Sequence, residues 1–363
     1  MNRLIIALLG SVLYSGASMA QKQTYFTNPV IHGDVADPSI LRIDDTYYAT
    51  GTSSEWAPYY PVFTSKDLVN WKQTGHVFEQ QPEWTKSSFW APEWYQHKGK
   101  VYVYYTARKQ SDNISCIGVA VADSPTGKFK DYGPVVEFGK EAIDAFILED
   151  KGKLYISWKA YGLDNQPIEL LACKLTDDGL RLDGKPFSLL RDDERQGMEG
   201  QHWFKKDGYY YISIPEGGVG TGWQTVMRSK NIYGPYEQKR VLEMGSTKVN
   251  GPHQGALVDT PEGEWWFYHF QSTEPQGRVV HLQPVTWKDG FPEIGTDYDK
   301  NGIGEPMKVC RKPSTGVETK AYAPQASDDF EAKELGLQWQ FNHNPHDEYW
   351  SLTEKPGWLA IKS

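Results

Sequence analysis

Lys206-Asp207-Gly208-Tyr209-Tyr210-Tyr211 is a short polar turn that runs at once into an aromatic strand. Four other stretches read the same way: Ile43-Asp44-Asp45-Thr46-Tyr47-Tyr48, His97-Lys98-Gly99-Lys100-Val101-Tyr102, Asp150-Lys151-Gly152-Lys153-Leu154-Tyr155 and Pro261-Glu262-Gly263-Glu264-Trp265-Trp266. From Asp45 to Gly99, Gly152, Gly208 and Gly263 the steps are 54, 53, 56 and 55 residues. A repeat of that length built from strands and turns marks four-stranded blades set round an axis. Five copies predict an all-β, five-bladed β-propeller. Such a ring brings the same position of every blade to one central channel, so residues far apart in sequence meet there.

A second repeated element follows each copy. Apolar strands at 62–65, 119–122, 171–175, 226–229 and 279–283 each lead toward a bulky apolar residue, Trp71, Phe129, Leu180, Tyr236 and Trp287 in turn. The propeller is expected over residues 27–310. Residues 311–327 are rich in Pro, Ser, Thr and Gly and read as a linker. Beyond it, Trp339, Phe341, Trp350, Trp358 and Ile361 suggest strands at 328–363. These 36 residues cannot bury a sandwich core by themselves. The expectation is the beginning of a second β-rich, sandwich-like domain, truncated by the chain end, with packing back on the propeller as the alternative.

The 363 residues include 34 Gly and 22 Pro, which suits a protein full of turns. With a net charge of −9, a nucleic-acid backbone is excluded as a natural partner. The 14 Trp and 22 Tyr sit in a chain of mean hydropathy −0.61. Most belong between blades, and some remain as flat platforms for sugar rings. Residues 1–20 read as an export signal: Arg3, an apolar stretch at 4–13, and Ser18-Met19-Ala20 before Gln21. That stretch is too short to span a membrane, and no other is long enough. The expected location is periplasmic or extracellular. Cys116, Cys173 and Cys310 are odd in number, and the first two lie in apolar strands, which predicts buried, inert thiols.

Counting back from each turn locates the channel residues. Asp37 and Asp144 lie eight residues before their turns, Trp90 and Glu199 nine before, and His253 ten before. Three blades thereby place a carboxylate at one phase, where the inner strand enters the channel. A single Asp-Pro pair such as Asp37-Pro38 is ordinarily a turn, but three acids in phase repel one another and call for a function. Two carboxyls across a glycosidic bond can protonate the leaving oxygen and activate water, and a third can hold the acid protonated by like-charge repulsion. A cation site built from the acids and His253 is the alternative.

At these residues the chain resembles glycoside hydrolase family 43. The motifs are Ala36-Asp37-Pro38-Ser39-Ile40, Trp90-Ala91-Pro92-Glu93, Ile143-Asp144-Ala145-Phe146, Glu199-Gly200 and Gly277-Arg278. The resemblance implies a five-bladed, inverting hydrolase of xylose- and arabinose-containing polysaccharides, acting on a hemicellulose-derived poly- or oligosaccharide. It implies Asp37 as general base, Glu199 as general acid, and Asp144 as the residue that tunes and orients the acid. For the substrate it implies Trp90 and Phe146 as pocket walls and Arg278 on sugar hydroxyls. Blade core for Trp90 and a surface ion pair for Arg278 are the structural alternatives. His253 matches a histidine that holds calcium through water in some members and contacts the sugar site in others. No cofactor is expected to be required, with a structural calcium in the channel left open.

An exo-acting β-xylosidase or α-L-arabinofuranosidase is expected first, then an endo-arabinanase or exo-galactanase, then a non-catalytic carbohydrate-binding propeller. Trp56, Tyr59 and Tyr60 read equally as pocket rim or crowded core. If Trp56, Tyr59, Trp94 and Trp223 wall the channel, only a chain end can enter. The Gly217-Gly218-Val219-Gly220-Thr221-Gly222 run lacks the Lys and helix of a phosphate loop and reads as a flexible rim loop.

Overall fold

The computed structural model describes residues 24–137, 139–161, 168–191, 195, 197–317 and 319–362. The export signal at 1–20 lies outside them. Among the described residues five four-stranded antiparallel sheets follow one another along the chain, four made from consecutive strands and the first interrupted by the short strand Trp56–Ala57. Their inner strands are Ala36–Ile43, Thr85–His97, Glu141–Asp150, His202–Lys206 and His253–Asp259. The second strands are Thr46–Thr52, Lys100–Lys109, Lys153–Tyr161, Tyr209–Glu216 and Trp265–Thr273. Each repeated polar turn is the hairpin joining this pair, as the sequence predicts. Among the described residues no helix is long and apolar enough to cross a membrane.

Wedge-shaped gaps between blades explain the aromatic content. Five buried clusters fill them, one per junction, with Tyr60, Phe89 and Tyr105 between the first two blades and Tyr155, Trp203 and Met227 between the third and fourth. Tyrosine serves because its ring is apolar and its hydroxyl can reach backbone across the junction. Tyr60 donates to the Thr106 carbonyl at 2.8 Å, and Tyr268 to the Leu68 carbonyl at 2.6 Å. Cys116, Cys173 and Cys310 are buried free thiols, and burial pushes the Cys116 and Cys310 thiols up to about 12.

The ring is closed by a seam outside the blades. Tyr25–Thr27 pairs with Val309–Arg311, aligning Phe26 with Cys310. Asn28 then docks on the third strand of the fifth blade (Gly277–Lys288). Its amide donates to the Leu282 carbonyl at 2.9 Å, and its Oδ1 accepts from the Leu282 N–H at 2.8 Å. Further along, the Val35 N–H donates to the Arg278 carbonyl at 3.0 Å.

The C-terminal segment is β-rich, as expected of the beginning of a second domain, and it also contacts the propeller. Phe341–Asn342 pairs with Trp56–Ala57 at the rim of the first blade, and the Gln81 N–H donates to Asn344 Oδ1 at 3.0 Å. A small hairpin pairs Trp350–Ser351 with Ala360–Ile361.

Candidate active site

The inner strands enter the channel through a repeated backbone distortion. Eight residues before each turn lie Asp37, Ala91, Asp144, Gly200 and Gly255. The first four have left-handed φ values of 53°, 34°, 59° and 53°. Register shifts interrupt pairing around Asp37, Ala91, Asp144 and Gly255, as bulges do where a strand re-aims its side chains. Asp tolerates the left-handed region better than most residues. At Gly255 a Cβ would lie 1.6 Å from the Tyr268 carbonyl oxygen, so only glycine fits. The common phase is therefore eight in every blade; Trp90 and Glu199 precede it by one residue and His253 by two.

Asp37, Asp144 and Glu199 face one another closely enough that each charge acts on its neighbours. Burial is the first cause raising the Asp37 carboxyl above the ordinary range; Arg278 and the Thr52 hydroxyl, which donates to Asp37 Oδ2, pull it back. Burial also holds Asp144 well above that range, reinforced by Glu199 and Asp37. Asp144 Oδ2 accepts from the Gly200 N–H at 2.9 Å, and its carbonyl accepts from Gln201 Nε2 at 2.6 Å. Glu199 forms an ion pair with Lys159 at 2.8 Å and lies 3.6 Å from His253 Nε2.

A fourth carboxyl, Glu93, stands in the second blade. Burial pushes it up to about 8, against a hydrogen bond with Ser39 that lowers it. The arrangement can hold one carboxyl protonated while another stays available as a base, which is the requirement for acid–base catalysis.

The other expected site residues fall in several places. Arg278 joins Asp34 through Nε at 2.9 Å and reaches Ser54 at 3.4 Å, while its charge acts on Asp37. The ion pair with Asp34 therefore coexists with an electrostatic effect on Asp37. Trp90 is partly exposed, with the Arg108 guanidinium 5.6 Å from its ring. Phe146 is partly buried, its ring 4.4 Å from that of His202, and packs against the cluster between the third and fourth blades. His253 is fully buried beside Phe270, and burial lowers it to about 4.

Both ring nitrogens of His253 lack hydrogen-bond partners. Its carboxylate neighbour is already paired with Lys159. Among the described residues no group of three or more His, Cys, Asp or Glu side chains is placed to hold a metal ion. Among the described residues the side chains beside His253 do not form a cage for a protein-held cation.

For Tyr59 and Tyr60 the core reading holds, and Trp94 does not join a channel wall. Tyr59 and Tyr60 are fully buried, with Tyr59 stacked on Phe89 at 3.9 Å, and Trp94 is buried beside Phe129. The interblade wedges claim these rings, so they cannot wall the channel. Trp56 is 44% exposed but its backbone pairs with Asn342, and Trp223 carries Arg240 4.0 Å from its ring. The glycine-rich loop is anchored at its end, where a Cβ on Gly222 would lie 3.0 Å from His253, and open at its middle, where Gly218 and Gly220 have nothing within 4 Å.

Several contact residues escaped the sequence reading. Seven residues after each turn come Thr52, Thr106, Lys159, Pro215 and Phe270. The Ala91 N–H donates to Thr52 Oγ1 at 2.7 Å, and the Asp144 N–H to Thr106 Oγ1 at 3.1 Å. Counting forward as well as back would have found them. Cavity size would not locate this site. Cavities of about 840 and 650 Å³ lie beside the fifth blade and under the C-terminal segment, and none of the three acids lines either.

Residues 26–292 match the family model for glycosyl hydrolases family 43, and residues 327–363 match the beta xylosidase C-terminal Concanavalin A-like domain. A beta-xylosidase of Formosa agariphila is 35% identical over 93% of this chain. The non-reducing end alpha-L-arabinofuranosidase BoGH43B of Bacteroides ovatus is 33% identical over 99%. Among solved structures, the GH43 protein BlXynB from Bacillus licheniformis superposes with a TM-score of 0.77 at 30% identity over 93% of this chain. The chain spans 62% of the Formosa agariphila relative and 68% of the other two.

Proposed function

Because this chain belongs to glycosyl hydrolases family 43, we propose that it removes single pentose units from the non-reducing ends of hemicellulose-derived oligosaccharides, as a β-xylosidase or α-L-arabinofuranosidase. The observation that carries the reading is three carboxylates from three blades gathered at one channel entrance, with Arg278 beside the first. Names of the two relatives support the pentose class, and that of BoGH43B supports attack at a chain end. Residues 27–310 carry the chemistry, 311–327 connect them to the segment at 328–363, and residues 1–20 direct export.

In this mechanism Asp37 takes a proton from water as the water attacks the anomeric carbon. Glu199 gives its proton to the glycosidic oxygen as the bond breaks. Attack from the face opposite the leaving group inverts the anomeric centre and leaves no covalent intermediate. Asp144 holds the Gly200 N–H and so fixes the peptide next to Glu199. Arg278, anchored by Asp34, favours the ionised form of Asp37 that a base needs.

The test is a panel of aryl β-D-xylosides, aryl α-L-arabinofuranosides and linear arabinan, with product length and first-formed anomer followed by NMR. Single pentoses of inverted configuration are expected from the first minutes. A ladder of intermediate lengths would move an endo-arabinanase to the front. Binding without turnover of any substrate would identify a carbohydrate-binding propeller.

A further inference from the structure

We infer that Lys159 is a positioning residue for the general acid, an inference that rests on the functional reading above. One repeated position changes character in the third blade. At the seventh residue after the turn, the first two blades carry Thr52 and Thr106. Each hydroxyl accepts the N–H of the left-handed residue in the next blade, Ala91 or Asp144. The third blade carries Lys159 there. The N–H a threonine would have accepted, that of Gly200, is taken instead by Asp144 Oδ2 at 2.9 Å. Position 159 is thus released from its structural duty, and its ammonium reaches across the same junction to Glu199 Oε2 at 2.8 Å.

The pair is sheltered: the Lys159 side chain is 10% exposed and that of Glu199 23%. The other charged or titratable groups around the acid are Asp144 and Asp37 on the third and first blades and His253 on the fifth. Tyr161, on the strand of Lys159, has its ring 5.3 Å from the ammonium. A neutral, protonated Glu199 gains little from a cation. As its proton moves to the glycosidic oxygen, the carboxyl becomes anionic beside a fixed positive charge. The contact is stronger in the transition state than in the ground state, which is the condition for rate enhancement. Holding Oε2 also leaves Oε1 as the oxygen free to carry the transferred proton.

Lys159→Met, with Lys159→Arg and Lys159→Thr beside it, tests the inference on whichever pentoside series the wild type turns over. A disaccharide needs full protonation of its leaving group, and a dinitrophenyl glycoside needs almost none. Lys159→Met is expected to lower kcat/KM on the disaccharide about 100-fold while changing the dinitrophenyl substrate less than about threefold. Lys159→Arg restores most of the loss, and Lys159→Thr, the residue two other blades accept here, keeps the fold but not the rate. Equal losses on both substrates, or no loss on the disaccharide, overturns the inference and leaves the functional reading standing. A wild type that cleaves neither substrate overturns both.

Discussion

At one end of each inner strand the chain turns through a polar hairpin, and at the other the backbone is distorted, by a register shift near Asp37, Ala91, Asp144 and Gly255 and by a left-handed residue at Gly200. The turn end is nearly the same in every blade. The turn residues Gly99, Gly152, Gly208 and Gly263 all have positive φ, and a Cβ on any of them would meet nothing within 4 Å. The channel end distorts the backbone at the same phase with different side chains, and a Cβ on Gly200 or Gly255 there would lie 2.4 or 1.6 Å from a neighbour. Repetition at the first end builds blades. Variation at the second, on a constant backbone, is how a pseudo-symmetric ring acquires an asymmetric site.

Substitutions at the bulge end sharpen the contrast most. Asp37→Asn tolerates the left-handed backbone and is expected to lower kcat/KM at least about 1,000-fold with the thermal midpoint unchanged or raised. Glu199→Gln is expected to match that loss on a disaccharide but to fall within about tenfold of wild type on a dinitrophenyl glycoside. Equal rescue of both variants would break the assignment of base and acid.

Next in size is a pair of glycine substitutions followed by denaturant melting. Gly255→Ala drives a methyl into the Tyr268 carbonyl and is expected to destabilise by more than about 3 kcal/mol. Gly208→Ala, with open space around it and a φ of 77°, is expected to lose only about 1 kcal/mol. Similar losses at both positions would erase the distinction between the two ends.

Glu93 offers a smaller, pH-dependent effect. Its carboxyl is raised from 4.5 to about 8, so the folded state holds a proton that the unfolded chain has lost between those values. That contribution is fully present below pH 4.5 and is lost as pH rises through about 8. Glu93→Gln is therefore expected to flatten the decline of thermal midpoint between pH 6 and 9 by ~2–4 °C relative to wild type. Parallel curves would mean that Glu93 is not held protonated. Least of all should change with EDTA, which is expected to leave kcat/KM within about twofold, since among the described residues no group of three or more His, Cys, Asp or Glu is placed to hold a cation.

Blade number, blade order and the three acids were legible because turn chemistry and aromatic strands recur at a near-constant interval. The bulge was not, because a left-handed Asp37 and a left-handed Ala91 share a backbone and nothing else. That is why counting gave nine for Glu199 and ten for His253 when the common distortion lies at eight. Trp94 was hard to place for a related reason. Beyond the register shift between Trp90 and Glu93, simple alternation no longer says which face a side chain takes, and the Trp94 ring went to an interblade wedge, as did that of Tyr59, whose two readings the sequence left open. Lys159 escaped because a lysine in a strand ordinarily reads as solvent-facing, and only its phase relative to Thr52 and Thr106 marks it as different.

The seam that joins Asn28 to Leu282, 254 residues apart, also sets an order of events. Each blade is a stack of sequential hairpins and can form as its own stretch of chain becomes available, but the ring cannot shut until residues near 310 arrive to meet those near 26. Until then the molecule is an open arc whose two ends expose complementary apolar halves, Tyr47 and Ala49 on one and Trp266, Tyr268 and Leu282 on the other. Those halves fit a second arc as well as they fit each other, so an unclosed intermediate is the species prone to self-association. The few residues at 25–35 act as a clasp that conceals both ends in one step, and shortening them is expected to be felt in the yield of refolding before it is felt in the rate of catalysis.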